Sequence, residues 1–427
     1  MEFFRFDEKL KRMDETVMRL VREQFEKIEK ITEYNQQKVL KQFIENRVSA
    51  VHLGISTGYG YDDPGRETLE KIMAGCMGAE DSLIRHSFAS GTHTLAVALF
   101  GLLRPKDKIL SLTGRPYDTI TGVFGIDSKV DGSLADYGVE YAQVDLLENG
   151  RPDINSIRSE LAWNKYKVAY IQRSRGYSLR PSLTIADIKA LCDAVKEVSP
   201  DTWIMVDNCY GEFAEELEPC DVGADLVAGS LIKNPGGGIA PTGGYIAGKH
   251  ELVEKCAARM TCPGVGREVG ATLGHNRELF MGLFSAPHVV GEAMKTAVYT
   301  AVLLENLGFE VTPRYDEKRG DIIECITLGS AQALIAFCQG MQSGAPVDSF
   351  VSPEPWELPG YDDLVIMAAG AFTLGSSIEL SADGPLREPY AAWMQGGINF
   401  HSAKTGVMLA VQSMIDKGAL TIGRAHP

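Results

Sequence analysis

From about Pro64 to Gly248, short apolar runs alternate with amphipathic stretches, and this alternation restricts the fold more than any other feature of the sequence. Such a pattern is what a mostly parallel sheet covered by helices requires. The strand candidates are Lys108–Leu112, Glu140–Val144, Val168–Ile171, Trp203–Val206, Leu226–Ala228 and Gly244–Ala247. Helix candidates between them include His93–Leu103, starting after Ser90-Gly91-Thr92, and Ile185–Val198, ending before Pro200. The expectation is an α/β architecture.

On either side the pattern changes. Residues from about Asp7 to Asn46 carry Leu10, Met13, Val17, Leu20, Val21, Phe25, Ile28 and Ile31 at helical spacing, which predicts one or two amphipathic helices. Their apolar stripe is expected to pack on the protein's own body or on a second subunit. A helical stretch around His288–Leu307 stops at Gly308, and Val351–Asp363, with Pro353, Pro355, Pro359 and Gly360, reads as an irregular loop. With 427 residues, the chain is expected to divide into a helical arm over 1–63, an α/β domain over 64–285 and a C-terminal domain over 286–427.

The 57 acidic residues outnumber 42 basic ones, a formal charge of −15 that repels nucleic acid and anionic lipid over most of the surface. An anionic cofactor is not excluded, because a phosphate is held by local N–H groups and a few side chains. Eight scattered cysteines form no C-x-x-C pair and are expected to be reduced, and no metal site is expected. The start MEFFRFDEKLKRMDE lacks the apolar core of a signal peptide, and no apolar run reaches about 18 residues, so a cytoplasmic location is expected.

Candidate chemistry begins with WIMVDNCYGEF, an apolar strand ending in Asp207. In open α/β sheets ligands sit at the carboxyl ends of strands, so an acid there points into the site; alone, it equally well caps a turn. In AGSLIKNPGGG, Lys233 follows an apolar run, where lost hydration lowers the pKa of an amine. A Schiff base with pyridoxal phosphate (PLP) needs such an amine and a carboxylate facing the pyridine nitrogen, and Lys233 and Asp207 can fill those roles. A lone lysine before a glycine-rich turn is usually a surface residue, so accompanying parts decide. Ser90, Gly91 and Thr92 precede an apolar helix and can grip a phosphate at the positive end of its dipole, with Ser230 adding a hydroxyl, although small residues at a helix start are more often simple caps. Tyr117 follows a strand and can stack on the pyridine ring or be a buried structural tyrosine.

This ordered set, Ser90-Gly91-Thr92, Tyr117, VDN at 206–208 and S-x-x-K at 230–233, resembles the fold-type I PLP enzymes (aspartate aminotransferase-like), in particular the cysteine and methionine metabolism group of cystathionine β-lyase, cystathionine γ-synthase and methionine γ-lyase. GYGYDDPGRETLE and GSLIKNPGGGIAPTGGYIAG look like the aluminium resistance protein branch. The resemblance implies a large doubly wound, mostly parallel sheet domain and a smaller C-terminal α/β domain. It implies that Lys233 holds pyridoxal 5'-phosphate as a Schiff base and moves the α proton, that Asp207 faces the pyridine nitrogen, and that Tyr117 stacks on the ring. Ser90, Gly91, Thr92 and Ser230 would hold the phosphate, and Tyr59 would reach the phosphate of a neighbouring subunit in a homodimer or homotetramer. Arg387 is either the residue that forks onto a substrate carboxylate or half of a surface salt bridge.

The sequence also departs from the family. Tyr59-Gly60-Tyr61 before Asp63-Pro64 replaces a Y-x-R segment, which leaves Arg66 as the substitute cation. Gln172-Arg173-Ser174-Arg175-Gly176 stands where relatives have an N-P pair, and two arginines beside the cofactor would favour an anionic group unless they are solvated loop residues. Gly264-Val265-Gly266 with Gly270 has no preceding strand and reads as a flexible loop near the site, not a dinucleotide motif. The activity expected is a carbon–sulfur lyase acting on an amino acid such as cystathionine or methionine. The alternatives are another PLP reaction (transamination, aldol cleavage or synthase replacement) or a non-catalytic metal-resistance protein.

Overall fold

The structure, a computed structural model, describes residues 3–127, 130–357 and 363–423. Two helices open the chain, α1 (Glu8–Leu20), capped by the Asp7 carboxylate on Lys9 N, and α2 (Arg22–Glu45). The chain forms two compact units, Met1–Thr32 with His288–Pro427, and Glu33–Pro287, so the arm expected over 1–63 is shared between them.

In the larger unit the strands are β1 (Asp81–Arg85), β2 (Lys108–Ser111), β3 (Glu140–Gln143), β4 (Val168–Gln172), β5 (Trp203–Asp207), β6 (Leu226–Ser230) and β7 (Gly244–Gly248). They form one sheet in the order β1-β7-β6-β5-β4-β2-β3, in which only β7 runs against its neighbours. Six of the seven strands begin at the residue that apolar patterning predicts. β1 has no counterpart among the candidates: Leu83 and Ile84 are its only apolar residues, too short a run to stand out.

The helices of this unit are α3 (Pro64–Cys76), α4 (Gly91–Leu102), α5 (Asp118–Phe124), α6 (Ile154–Trp163), α7 (Ile185–Val198) and α8 (His250–Met260). α7 starts at a capping box in which Thr184 Oγ1 accepts from Asp187 N and the Asp187 carboxylate accepts from Thr184 N at 2.9 Å. It stops at Ser199, because Pro200 cannot continue it. β4, β6 and β7 are buried at every position, and β5 at every position after Trp203, as strands covered on both faces must be. Leu83, Leu99, Ile109, Val168, Met205 and Leu226, all shielded from solvent, form the centre of the core. Each contributes about 1.5–3 kcal/mol by burial.

The smaller unit contains the five-stranded antiparallel sheet β8 (Glu310–Thr312), β9 (Glu324–Thr327), β10 (Val365–Ala368), β11 (Ser381–Pro385) and β12 (Ala391–Gln395), in the order β10-β11-β12-β9-β8. α9 (Asn276–Asn306) runs from the larger unit into it, beginning twelve residues before the predicted His288 and carrying Pro287 inside. α10 (Ala331–Ser343) and α11 (Phe400–Asp416) complete the unit. The amphipathic stripe of the N-terminal helices turns inward: Leu10, Val17 and Val21 are fully buried, and the Phe25 ring meets Phe400 edge-on at 5.1 Å. Of the irregular segment expected over Val351–Asp363, residues 358–362 lie outside those described; the remainder has no regular element beyond one bridge from Trp356 to Val365. Among the described residues no helix is long and apolar enough to cross a membrane.

Candidate active site

The site is built at the carboxyl ends of β5 and β6 and the start of α4. β5 ends in Asp207, buried, with its carboxylate taking the Cys209 N–H at 3.1 Å and a long contact from the Tyr170 hydroxyl at 3.5 Å. Burial pushes its pKa up, against the pull of the Cys209 N–H and the Lys233 charge. β6 ends in Ser230, and the following turn delivers Lys233. The lysine is partly exposed as a residue, but its ammonium is enclosed and lies 4.0 Å from the centre of the Tyr210 ring. The sequence predicts a lowered pKa for this amine, and the structure reverses that. Burial pulls down, but Tyr210, Cys209 and Asp207 together outweigh it and hold the amine above the usual lysine value.

Asn234 explains how the lysine and its cap are fixed together. Its Nδ2 donates to the carbonyls of Tyr210 at 2.9 Å and Glu212 at 2.8 Å, fastening the 210–213 loop to the residue beside Lys233. That loop holds Tyr210 at φ +72° and Phe213 at φ +60°, a left-handed backbone that bulky residues rarely adopt. Neither residue is singled out by the sequence; Tyr210 lies in the same VDNCYGEF run as Asp207, and only its backbone conformation distinguishes it.

At the start of α4, Ser90 is the N-cap and its Oγ accepts from His93 N at 3.1 Å, while Thr92 Oγ1 lies 3.0 Å from Thr119 Oγ1. A Cβ on Gly91 would lie 3.3 Å from Ser230 Cβ and 3.6 Å from Cys209 Sγ, so the glycine keeps this helix end open against β6. Ser230 is 1% exposed and its Oγ has no hydrogen-bond partner among the described residues. An orphaned buried hydroxyl facing a helix N-terminus fits a phosphate ester, and the adjoining carboxylate and ammonium fit the rest of pyridoxal phosphate.

Tyr117 is the N-cap residue of α5, half-buried, and its N–H donates to Gln172 Oε1 at 2.7 Å. Gly176, at φ +56°, lies against its ring, where a Cβ would approach to 2.7 Å. The Gln172–Gly176 segment thus supports Tyr117, and Arg173 is neither a solvated loop residue nor a free charge for an anionic group. Arg173 is fully buried and donates to Asn208 Oδ1 at 2.8 Å, to the Gly211 carbonyl at 2.9 Å and to Glu215 at 3.2 Å, with Glu218 at 3.9 Å. Its charge is consumed in holding the loop after Asp207. Arg175 is 1% exposed, so neither is a solvated loop residue.

Other candidates lie elsewhere. Tyr59 is 72% exposed and its ring stacks on Tyr61 at 5.5 Å. The turn that carries it is pinned by Asp63, which caps α3 and accepts from Ser56 and Thr272, and by the backbone pair Gly270 N to Tyr59 O. Arg66 is buried and donates to the carbonyls of Gly60 at 2.6 Å and Gly270 at 2.9 Å, so it clamps this turn instead of standing as a free cation. Gly264 and Val265 are exposed, but the loop is tied down at Arg267, whose guanidinium binds Asp81 at 2.7 Å and Glu254 at 2.6 Å. Asp81, His250 and Glu254 bring ligand-type atoms within 4.8 Å of one another, and that guanidinium already supplies their cation. In the smaller unit Arg387 is exposed after β11 and pairs with Asp363 at 2.9 Å, which favours the surface salt bridge of the two expectations.

Fold and site together define a fold-type I PLP enzyme. The family model for methionine gamma-lyase matches residues 10–415, and the chain belongs to that family. It is similar to YnbB of Bacillus subtilis, 50% identical over 391 residues that cover 91% of this chain and 93% of that one. It also resembles a carbon-sulfur lyase involved in aluminum resistance from Clostridium novyi, at 49% identity, 96% coverage of each chain and a TM-score of 0.92. The PLP-dependent protein YhfS from Escherichia coli shares the fold at 15% identity, with a TM-score of 0.61 over 91% of this chain and 97% of that one. The cofactor is pyridoxal 5'-phosphate, and at family level the chain is a PLP-dependent lyase.

Proposed function

We propose that the protein is a carbon–sulfur lyase that eliminates a β or γ thiol from a sulfur amino acid such as cystathionine or methionine. The observation that carries this reading is the enclosed Lys233 ammonium within electrostatic reach of the buried Asp207 carboxylate, near a Ser230 hydroxyl that has no hydrogen-bond partner among the described residues. When bound, the cofactor supplies an electron sink for negative charge at the substrate Cα.

In this reading Lys233 anchors the cofactor and then, as a free amine, takes the α proton. Asp207 keeps a proton on the pyridine nitrogen. The N–H groups of Gly91 and Thr92, with the hydroxyls of Ser90, Thr92 and Ser230, grip the phosphate. Tyr117 stacks on the ring and orients it. Tyr59 of the partner subunit completes the phosphate site in a homodimer or homotetramer; the exposed Tyr59–Tyr61 stack supports this. Arg387 is left out of the substrate site because of its ion pair with Asp363. The Clostridium novyi relative's link to aluminium resistance supports a role of the same kind here.

The test is a screen of amino acids against the purified yellow holoenzyme for release of pyruvate, 2-oxobutyrate and ammonia. Cystathionine or methionine should yield a keto acid and ammonia together. Conversion of the cofactor to its pyridoxamine form without ammonia would overturn the lyase reading in favour of transamination.

A further inference from the structure

A second recess opens in the larger unit on the far end of α4 from Ser90, where Phe100, Leu134 and Val139 form an apolar floor in a cavity of about 360 Å³. None of the residues that line it belongs to the Lys233 site. This volume lies within the range of small-molecule pockets, about 300–1,000 Å³. The Tyr137 ring meets Phe100 edge-on at 5.5 Å, and the Arg259 guanidinium lies 5.0 Å from the centre of Phe100.

The charge of this recess is opposite to that of the molecule. In a chain of net charge −15, its lining holds Arg104, Lys255 and Arg259 and no Asp or Glu. Arg104 donates through Nη1 to the carbonyls of Phe100, Gly101 and Leu103, so much of its charge is spent on the end of α4. Lys255 and Arg259 remain. They stand four residues apart on α8 and therefore on one face, and Glu254, the acid next to Lys255, is engaged by Arg267 at 2.6 Å. An apolar floor with two such cations at its rim suits a ligand with an apolar body and one anionic group.

We propose that this recess binds a small amphipathic organic anion, its hydrocarbon body on Phe100, Leu134 and Val139 and its carboxylate, sulfonate or phosphate group between Lys255 and Arg259.

The experiment is calorimetric titration of the holoenzyme with naphthalene-1-sulfonate, and with 1-naphthalenemethanol as the uncharged counterpart. One saturable site per chain is expected for the sulfonate, with at least tenfold weaker binding of the alcohol. The charge-reversed K255E/R259E variant and the filled variant A258W should each weaken the sulfonate at least tenfold, whereas K233A should bind it as the wild type does. Equal binding of alcohol and sulfonate, or full affinity in both recess variants, would overturn the proposal. So would a fall in particle mass of A258W by sedimentation, which would mean that a second copy covers the recess.

Discussion

The ammonium of Lys233 lies 4.0 Å from the centre of the Tyr210 ring, and Asn234, the next residue along, fastens the Tyr210 carbonyl. The amine and its aromatic cap are thus held by one short turn. Tyr210→Phe keeps the ring but removes the hydroxyl that supports the amine. Because that hydroxyl favours the protonated amine while the proposed base is the free amine, the acid limb of the kcat–pH profile should move to lower pH with cofactor content unchanged, as steady-state kinetics across pH will show; an unmoved profile would contradict the assignment.

Ser230→Ala separates stability from cofactor binding. The hydroxyl is buried and has no partner among the described residues, so its removal should leave apoprotein stability within about 0.5 kcal/mol. Cofactor affinity should fall about tenfold by equilibrium dialysis, the value of one lost hydrogen bond to phosphate. Loss of stability with unchanged affinity would make Ser230 a structural residue.

Arg173→Met should be severe. It would leave Glu215 and Glu218 buried around the loop after Asp207 without their cation, and breaking a buried pair from one side costs about 3–5 kcal/mol. Urea denaturation will measure the loss. Little change would show that these carboxylates take up protons and need no arginine.

Glu212 gives the chain a pH dependence. It is fully buried, and burial raises its pKa to about 8, with the Tyr245 hydroxyl bonded to it at 2.8 Å and Arg173 opposing the rise while Glu218 adds to it. The unfolded chain releases this proton near the ordinary glutamate value of about 4.3. Between these values the folded state binds more protons, so stability falls as pH rises from about 4.5 to about 8. Glu212→Gln should remove this contribution. Its Tm relative to the wild type should climb across that window, and a constant difference would contradict the assignment.

Much of this arrangement is visible in the sequence. β4, β5 and β6 are continuous apolar runs with both faces covered, so their starts are legible, and Asp207 and Lys233 follow from where those runs end. The Ser90–Thr92 segment is legible because a cap and a glycine precede an apolar helix. Other parts are set by tertiary contact. Tyr210 reaches Lys233 only through a left-handed backbone, and Arg173 looks like a loop cation until Asn208, Glu215 and Glu218 close around it. From the sequence the pKa of Lys233 is expected to fall on burial alone, because the three groups that raise it come from the end of β5 and the turn after it and have no regular spacing from it.

Reduction of the yellow protein with borohydride, followed by peptide mass spectrometry, tests the central claim most directly. The reduced pyridoxyl group is predicted on Lys233, in the peptide containing SLIKNPGGG, and Lys233→Ala should be colourless. Attachment at another lysine, or no attached cofactor at all, would contradict it.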